Sequence, residues 1–148
     1  MRMGEYPSVR VAWKIRDIQN RHSNSIHGIL ADYGLHPGQP RILHVVNEMN
    51  GATQNEIAEE LHVSPAALAM SIKRLHKAGI LEKQGDERDL RVNKIHLTPK
   101  GKEILKESQT NILAADERLI AGFSSEEISL LENFLGRIYS NLQHNEES

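Results

Sequence analysis

A chain of 148 residues with 39% apolar and 26% charged residues has the composition of one ordinary globular domain, and is too short for two independent ones. It contains no cysteine, which excludes disulfides, thiolate metal sites and thiol switches. The opening residues lack an apolar run of signal-peptide length, and no stretch approaches the roughly eighteen apolar residues of a membrane span, so a cytoplasmic protein is expected. The formal charge of −2 hides an uneven distribution: residues 1–61 sum to −1 and residues 103–148 to −6, whereas residues 62–102 hold nine Lys and Arg against four Asp and Glu. A basic stretch between neutral and acidic ones fits a nucleic-acid binder whose other parts stay off the polyanion, although charge alone does not separate this from chance fluctuation.

In chain order, residues 1–8 read as an irregular tail. From Val9 onward, Val11, Ile15, Ile18, His22, Ile26, Ile29 and Tyr33 step by four and three and draw one stripe along a long helix that Gly34 ends. Leu35-His36-Pro37 starts a second helix, which carries Ile42, Leu43, Val45, Val46 and Met49 and stops at Asn50-Gly51. Thr53 with Glu56 is a capping box opening a short helix with Ile57, Ala58 and Leu61 on its apolar face. His62-Val63 is a tight break. Ser64 as N-cap and Pro65 as first helical residue then restart the chain, and the next helix runs to about Ala78 with Gly79 as its cap. Two helices joined so closely must cross steeply, which is the helix-turn-helix arrangement.

On that last helix Leu68, Ile72 and Leu75 face inward, leaving Ala66, Ala69, Met70, Lys73 and Lys77 outside. Small residues near its start suit entry into a major groove about 12 Å wide, and cations further along suit the flanking phosphates. Residues 82–84 read as one strand and Val92, Ile95 and Leu97 as a second, joined by a charged turn over residues 85–91. Thr98-Pro99 caps a helix with Ile104, Leu105, Ile112, Leu113, Leu119 and Ile120. Ser124 with Glu127 is another capping box, opening a final helix with Ile128, Leu131, Leu135, Ile138 and Leu142, whose face Leu130 and Phe134 widen. A polar tail, residues 143–148, is expected at the end. The terminal stripes offer more apolar surface than a lone surface helix needs, so they are expected to interlock with a second chain, the alternative being that they complete an intramolecular core.

These residues resemble the multiple antibiotic resistance regulators, the MarR family of winged helix-turn-helix transcription factors. The resemblance is carried by Gln54, Ile57-Ala58, Leu61, Val63-Ser64, Lys73-Arg74-Leu75 and Gly79-Ile80-Leu81. It continues in the run Asp86-Glu87-Arg88-Asp89-Leu90-Arg91 and in Leu97-Thr98-Pro99-Lys100-Gly101. The charged D-x-R-D-x-R turn closed by L-T-x-K-G is its most specific part. The resemblance implies a mainly α fold with a small β-hairpin wing, in which N- and C-terminal helices form a homodimer. In these terms residues 1–148 are one MarR-like domain, with a winged helix-turn-helix DNA-binding lobe at 35–100 and dimerisation helices at 9–33 and 101–145.

The expected function is sequence-specific binding of a pseudo-palindromic double-stranded operator by a transcriptional regulator, a repressor released by a small-molecule effector. Ser64, Pro65, Ala66, Ala67, Ala69, Met70 and Ser71 would lie near base edges, while Lys73, Arg74 and Lys77 would meet phosphates, with a structural ion pair as the other option for Arg74. Arg88, Asp89 and Arg91 would form the wing, and the resemblance makes Arg91 the residue that reaches into the minor groove. The first reading of His22 is a hydrogen-bonded core imidazole; otherwise it is a candidate, with Trp13 and Arg16, for an effector pocket between the dimer helices and the DNA-binding lobe.

No cofactor and no metal site are assigned. Two alternatives remain open: a zinc-responsive regulator in which His22, His27 and His44 converge, and a winged helix serving only as a protein-interaction module. An enzyme is not expected, because there is no Gly-rich phosphate loop, no G-x-S-x-G, no H-E-x-x-H and no cysteine nucleophile.

Overall fold

A computed structural model of the chain describes residues 2–89 and 91–146. Leu90 of the wing motif and the last two residues of the expected tail lie outside the described residues. The chain divides into two compact units, Met1–Leu113 and Ala114–Ser148. The order of elements is a 3-10 turn at Met3–Glu5, then α1 (Pro7–Asp32), α2 (Gln39–Met49), α3 (Gln54–Glu60), α4 (Pro65–Lys77), β1 (Leu81–Gly85), β2 (Asn93–Leu97), α5 (Pro99–Leu119) and α6 (Ser125–Glu146). The mainly α fold with a two-stranded wing is the class that the sequence predicts.

The first unit is built around the helix-turn-helix. Thr53 Oγ1 accepts from the Glu56 amide at 3.2 Å and Glu56 Oε2 accepts from the Thr53 amide at 3.3 Å, which satisfies two donors that the helix itself leaves orphaned. His62 turns the chain with a φ of 55°, and Ser64 Oγ accepts from the Ala67 amide at 3.1 Å to open α4. Leu68, Ile72 and Leu75 are buried in one cluster with Leu43, Val46, Ile57, Leu61, Leu81, Ile95 and Leu97. α3 packs on α4, α2 on α3 and β2, and β1 on α4, so every element of the lobe presses on this core.

β1 and β2 pair antiparallel in the register Leu81↔Leu97 to Gly85↔Asn93. Only the base of the hairpin reaches the core: Leu81, Ile95 and Leu97 are buried, whereas Lys83, Gln84, Gly85 and Asn93 are exposed. Ala52 bridges Ile95 on the free side of β2, its carbonyl accepting from the Ile95 amide at 2.8 Å. The rest of the hairpin therefore stands clear of the core as a wing.

Three boundaries differ from expectation. The second helix begins at Gln39, because Gly38 adopts the left-handed region at φ 88° and Pro40, not Pro37, takes the first turn; Gln39 Oε1 accepts from the His36 amide at 2.8 Å. α1 begins at Pro7, two residues before the expected stripe. α6 runs to Glu146, so residues 143–146 of the expected polar tail are helical.

The stripe on α1 is covered only in its C-terminal half. Leu30 is buried and Ile26, Ile29 and Tyr33 are half-buried, but Val11, Ile15 and Ile18 are 41–49% exposed. In the second unit Ser124 and Glu127 form the expected capping box, with reciprocal bonds of 2.9 and 3.1 Å. α6 exposes Leu130, Phe134, Leu135, Tyr139 and Leu142, while Ile128, Leu131 and Ile138 are half-buried. Among the described residues no helix is long and apolar enough to cross a membrane.

Candidate nucleic-acid interface

The outer face of α4 follows from its inner one. With Leu68, Ile72 and Leu75 committed to the core, the 3.6-residue period turns Ala66, Met70, Lys73, Arg74 and Lys77 to solvent, and Met70 is 64% exposed. Among the described residues Lys73, Arg74 and Lys77 hold no ion pair, so the structural-pair option for Arg74 is not what the structure shows. Their charges lie in the second half of the helix, beyond a start made of Ser64, Pro65 and alanines. Ser64 directs its hydroxyl into the cap. Ala69 is half-buried. Ala67 and Ser71 turn to the flank, where with Arg41, Ile42, Leu61 and Val63 they line a recess of about 260 Å³ between α2 and α4.

The wing is a charged turn cross-linked by its own carboxylates. Asp86 Oδ1 accepts from the Arg88 amide at 2.7 Å, and Asp89 Oδ1 accepts from the Arg91 amide at 3.0 Å, two Asx turns in succession. The Asp86 amide donates to the Val92 carbonyl at 2.8 Å and closes the loop. Arg91 then turns back on Asp89 with both Nε and Nη2 donating at 3.0 Å, a bidentate clamp, while its side chain stays 90% exposed. Arg88 is exposed, and its guanidinium has no partner among the described residues. Lys94, which sequence reasoning missed, reaches Asp86 Oδ2 at 3.4 Å and ties the turn to β2. Charge spacing could not reveal that pair, because it depends on strand register.

These bonds set the protonation of the wing. The backbone amide of Arg88, with help from Lys94, holds Asp86 below the ordinary carboxylate range; the Arg91 side chain, then its amide, does the same for Asp89 and in turn raises Arg91 further. A depressed carboxyl pKa means that the ordering these groups provide is fully present above the ordinary carboxylate pKa and is lost as pH falls through the lowered values. The expected result is that carboxyl NMR resonances of both aspartates titrate below those of a free aspartate. Midpoints at or above the free value would show that the turn is not held in this way.

The remaining predicted residues separate. His22 is half-buried and lines a recess of about 370 Å³ with Ile26, His27, Leu30, Arg41 and Ile112. Trp13 and Arg16 lie nine and six residues earlier on α1, exposed, and do not line it. His44 is elsewhere, with Nε2 3.3 Å from Glu48 and Nδ1 3.4 Å from the Gln109 amide group. Among the described residues no three His, Asp or Glu side chains are gathered to hold a metal. Gln54, whose side-chain amide donates to the Pro65 carbonyl at 3.3 Å, braces α3 against the start of α4, a contact that the motif hinted at without explaining.

A solvent-facing helix of a helix-turn-helix beside an Arg-bearing hairpin defines a winged-helix regulator of transcription. The model of the MarR family matches residues 33–91. The transcriptional regulator AdcR of Streptococcus pneumoniae is 31% identical over 124 residues, spanning 82% of this chain and 84% of that protein. The structure of the YusO protein from Bacillus subtilis superposes with a TM-score of 0.78 at 18% identity, covering 88% of this chain and 93% of that one. A mutant of MepR from S. aureus, solved bound to an oligodeoxyribonucleotide, superposes at 0.68 and 20% identity, covering 89% and 97%. The chain belongs to the MarR family of transcriptional regulators.

Proposed function

We propose that this protein is a homodimeric transcriptional repressor that reads a pseudo-palindromic DNA operator in the cytoplasm and is released by a small-molecule effector. The observation that carries the DNA reading is the row of cations on the outer face of α4, Lys73, Arg74 and Lys77, which have no ion pair among the described residues, accompanied by Arg88 and Arg91 on the wing. Side chains committed to folding would be paired or buried; Lys73, Arg74, Lys77 and Arg88 are neither among the described residues, and Arg91 is paired only within its own turn while its side chain stays exposed. Ser64, Pro65, Ala66, Ala67, Ala69, Met70 and Ser71 leave a small, weakly polar helix start for the major groove. Without Asn, Gln or Arg there, specificity rests on thymine methyl contacts and groove shape. Asp89 holds Arg91 for a narrow minor groove, whose negative potential favours a guanidinium. The relative solved with an oligodeoxyribonucleotide supports the same use of the fold.

A dimer accounts for the uncovered apolar positions of α1 and of α6, two faces that water would otherwise meet. Residues 9–33 and 101–145 are then the dimerisation helices and residues 35–100 the reading lobe. Two-fold pairing would set the recognition helices about one DNA turn apart, roughly 34–36 Å. The effector reading attaches to the His22 recess, where Arg41 supplies a charge; Trp13 and Arg16 would join it only from a second copy. An effector acts by preferring the dimer shape that misfits DNA, since equal affinity for both shapes shifts nothing.

Anisotropy titration of a duplex selected from a random pool by the protein itself, repeated across salt concentrations, tests the DNA reading. With about four to six phosphates neutralised per dimer, the logarithm of affinity should fall against the logarithm of salt with a slope of about −4 to −5. A slope near zero, or a sedimenting monomer on the duplex, would defeat it.

A further inference from the structure

The end of α4 is fastened to the start of α5 by more bonds than chain connection requires. α4 closes in a Schellman turn: Gly79, in the left-handed region at φ 74°, donates to the His76 carbonyl at 3.0 Å and Ile80 donates to the Leu75 carbonyl at 2.9 Å. The carbonyls of Ala78, Gly79 and Ile80 have no helical partner. Each is met from across the hairpin. Lys100 Nζ donates to the Ala78 carbonyl at 2.9 Å, the Thr98 hydroxyl to the Gly79 carbonyl at 2.6 Å, and the Thr98 amide to the Ile80 carbonyl at 3.0 Å.

The same residues organise α5. Thr98 Oγ1 accepts from the Gly101 amide at 3.0 Å, so one hydroxyl caps the start of α5 while holding the end of α4. Gly101 is buried against the Ile80 carbonyl, and a Cβ at this position would overlap that oxygen, so the approach admits only glycine. Lys100 also sets its positive charge at the negative end of the α4 dipole.

We propose that Thr98, Lys100 and Gly101 are positioning residues for DNA recognition. They bolt the end of the recognition helix to the first turn of α5, so that a rotation of α5 turns α4 with it instead of being absorbed in the connecting hairpin. Lys100, one of the nine cations in the basic segment, holds the Ala78 carbonyl; on this proposal its role is that bond and not a phosphate contact. The affinity arm of the test rests on the DNA reading above, whereas a second arm does not.

Lys100→Met keeps the aliphatic stem and removes the ammonium, and Lys100→Arg restores a donor. In hydrogen exchange, the amides that belong to the bolt, of Thr98, which donates to the Ile80 carbonyl, and of Gly101, which donates to the Thr98 hydroxyl, are expected to exchange about tenfold faster in Lys100→Met and to recover in Lys100→Arg. Unchanged protection would overturn the bolt. Against the duplex selected by the wild-type protein, Lys100→Met should bind about tenfold more weakly, with little change on a scrambled duplex and an unchanged salt slope. A slope shallower by about 1.8, one phosphate lost per protomer, would make Lys100 a phosphate ligand and overturn the proposal. Equal losses on both duplexes would also overturn it. If the wild-type protein itself shows no preference between duplexes, the DNA reading fails while the exchange arm still decides the bolt.

Discussion

Ile72→Ala is expected to lower unfolding stability by about 2–5 kcal/mol. Ile72 is 1% exposed at the middle of α4, in the cluster that joins α2, α3, α4 and both strands. Truncation removes three carbons from a site that neighbours on several elements cannot all collapse into, so a cavity term adds to the lost transfer energy. Against a typical total of about 5–15 kcal/mol, such a loss lowers the melting temperature by about 5–15 °C in a chain of this size. Calorimetry at one fixed protein concentration, needed because association contributes to apparent stability, would measure it. A loss under about 1 kcal/mol would mean that α4 is not seated as described.

Arg91→Ala is expected to weaken operator binding by about 1–3 kcal/mol, one good groove contact, with the melting temperature unchanged. The two readouts separate because the side chain is 90% exposed and its partner among the described residues, Asp89, lies two residues away on the same turn. Nothing in the core depends on it. Arg91→Lys should recover only part of the loss, since an ammonium restores the charge but cannot reproduce the planar two-point clamp on Asp89. Unchanged affinity of Arg91→Ala in a titration at fixed salt would remove Arg91 from the interface.

Much of the lobe was legible because its signals are local. Thr53 with Glu56, Ser64 with Pro65, and Ser124 with Glu127 each declare a helix start within four residues, and the structure forms the corresponding caps. The same rule misplaced the start of α2: Pro37 and Pro40 are both acceptable first-turn residues, and the left-handed turn at Gly38 decides between them. What escaped the sequence depends on tertiary register. The Lys94 to Asp86 bond requires knowing which residues face across the hairpin. The turning of Ala67 and Ser71 toward α2 requires the crossing of the helices. Thr98, Lys100 and Gly101 were visible as a motif, yet their partners lie about twenty residues back, and only the folded chain brings them together. The stripe on α1 was likewise readable, but periodicity does not say which half the chain covers by itself.

The clamp between Asp89 and Arg91 also changes what groove insertion demands of the chain. A free arginine enters with four mobile torsions, and freezing such a side chain at an interface costs about 0.5–1.5 kcal/mol. Here two parallel bonds to Asp89, on a turn braced at Asp86, favour one orientation of the guanidinium in the free chain, although the side chain is 90% exposed and such a pair is worth no more than about 1 kcal/mol. If Arg91 enters a groove as proposed, the part of that entropy already lost in the free chain need not be lost again on binding, and the wing should discriminate against a groove whose width departs from the one its geometry fits.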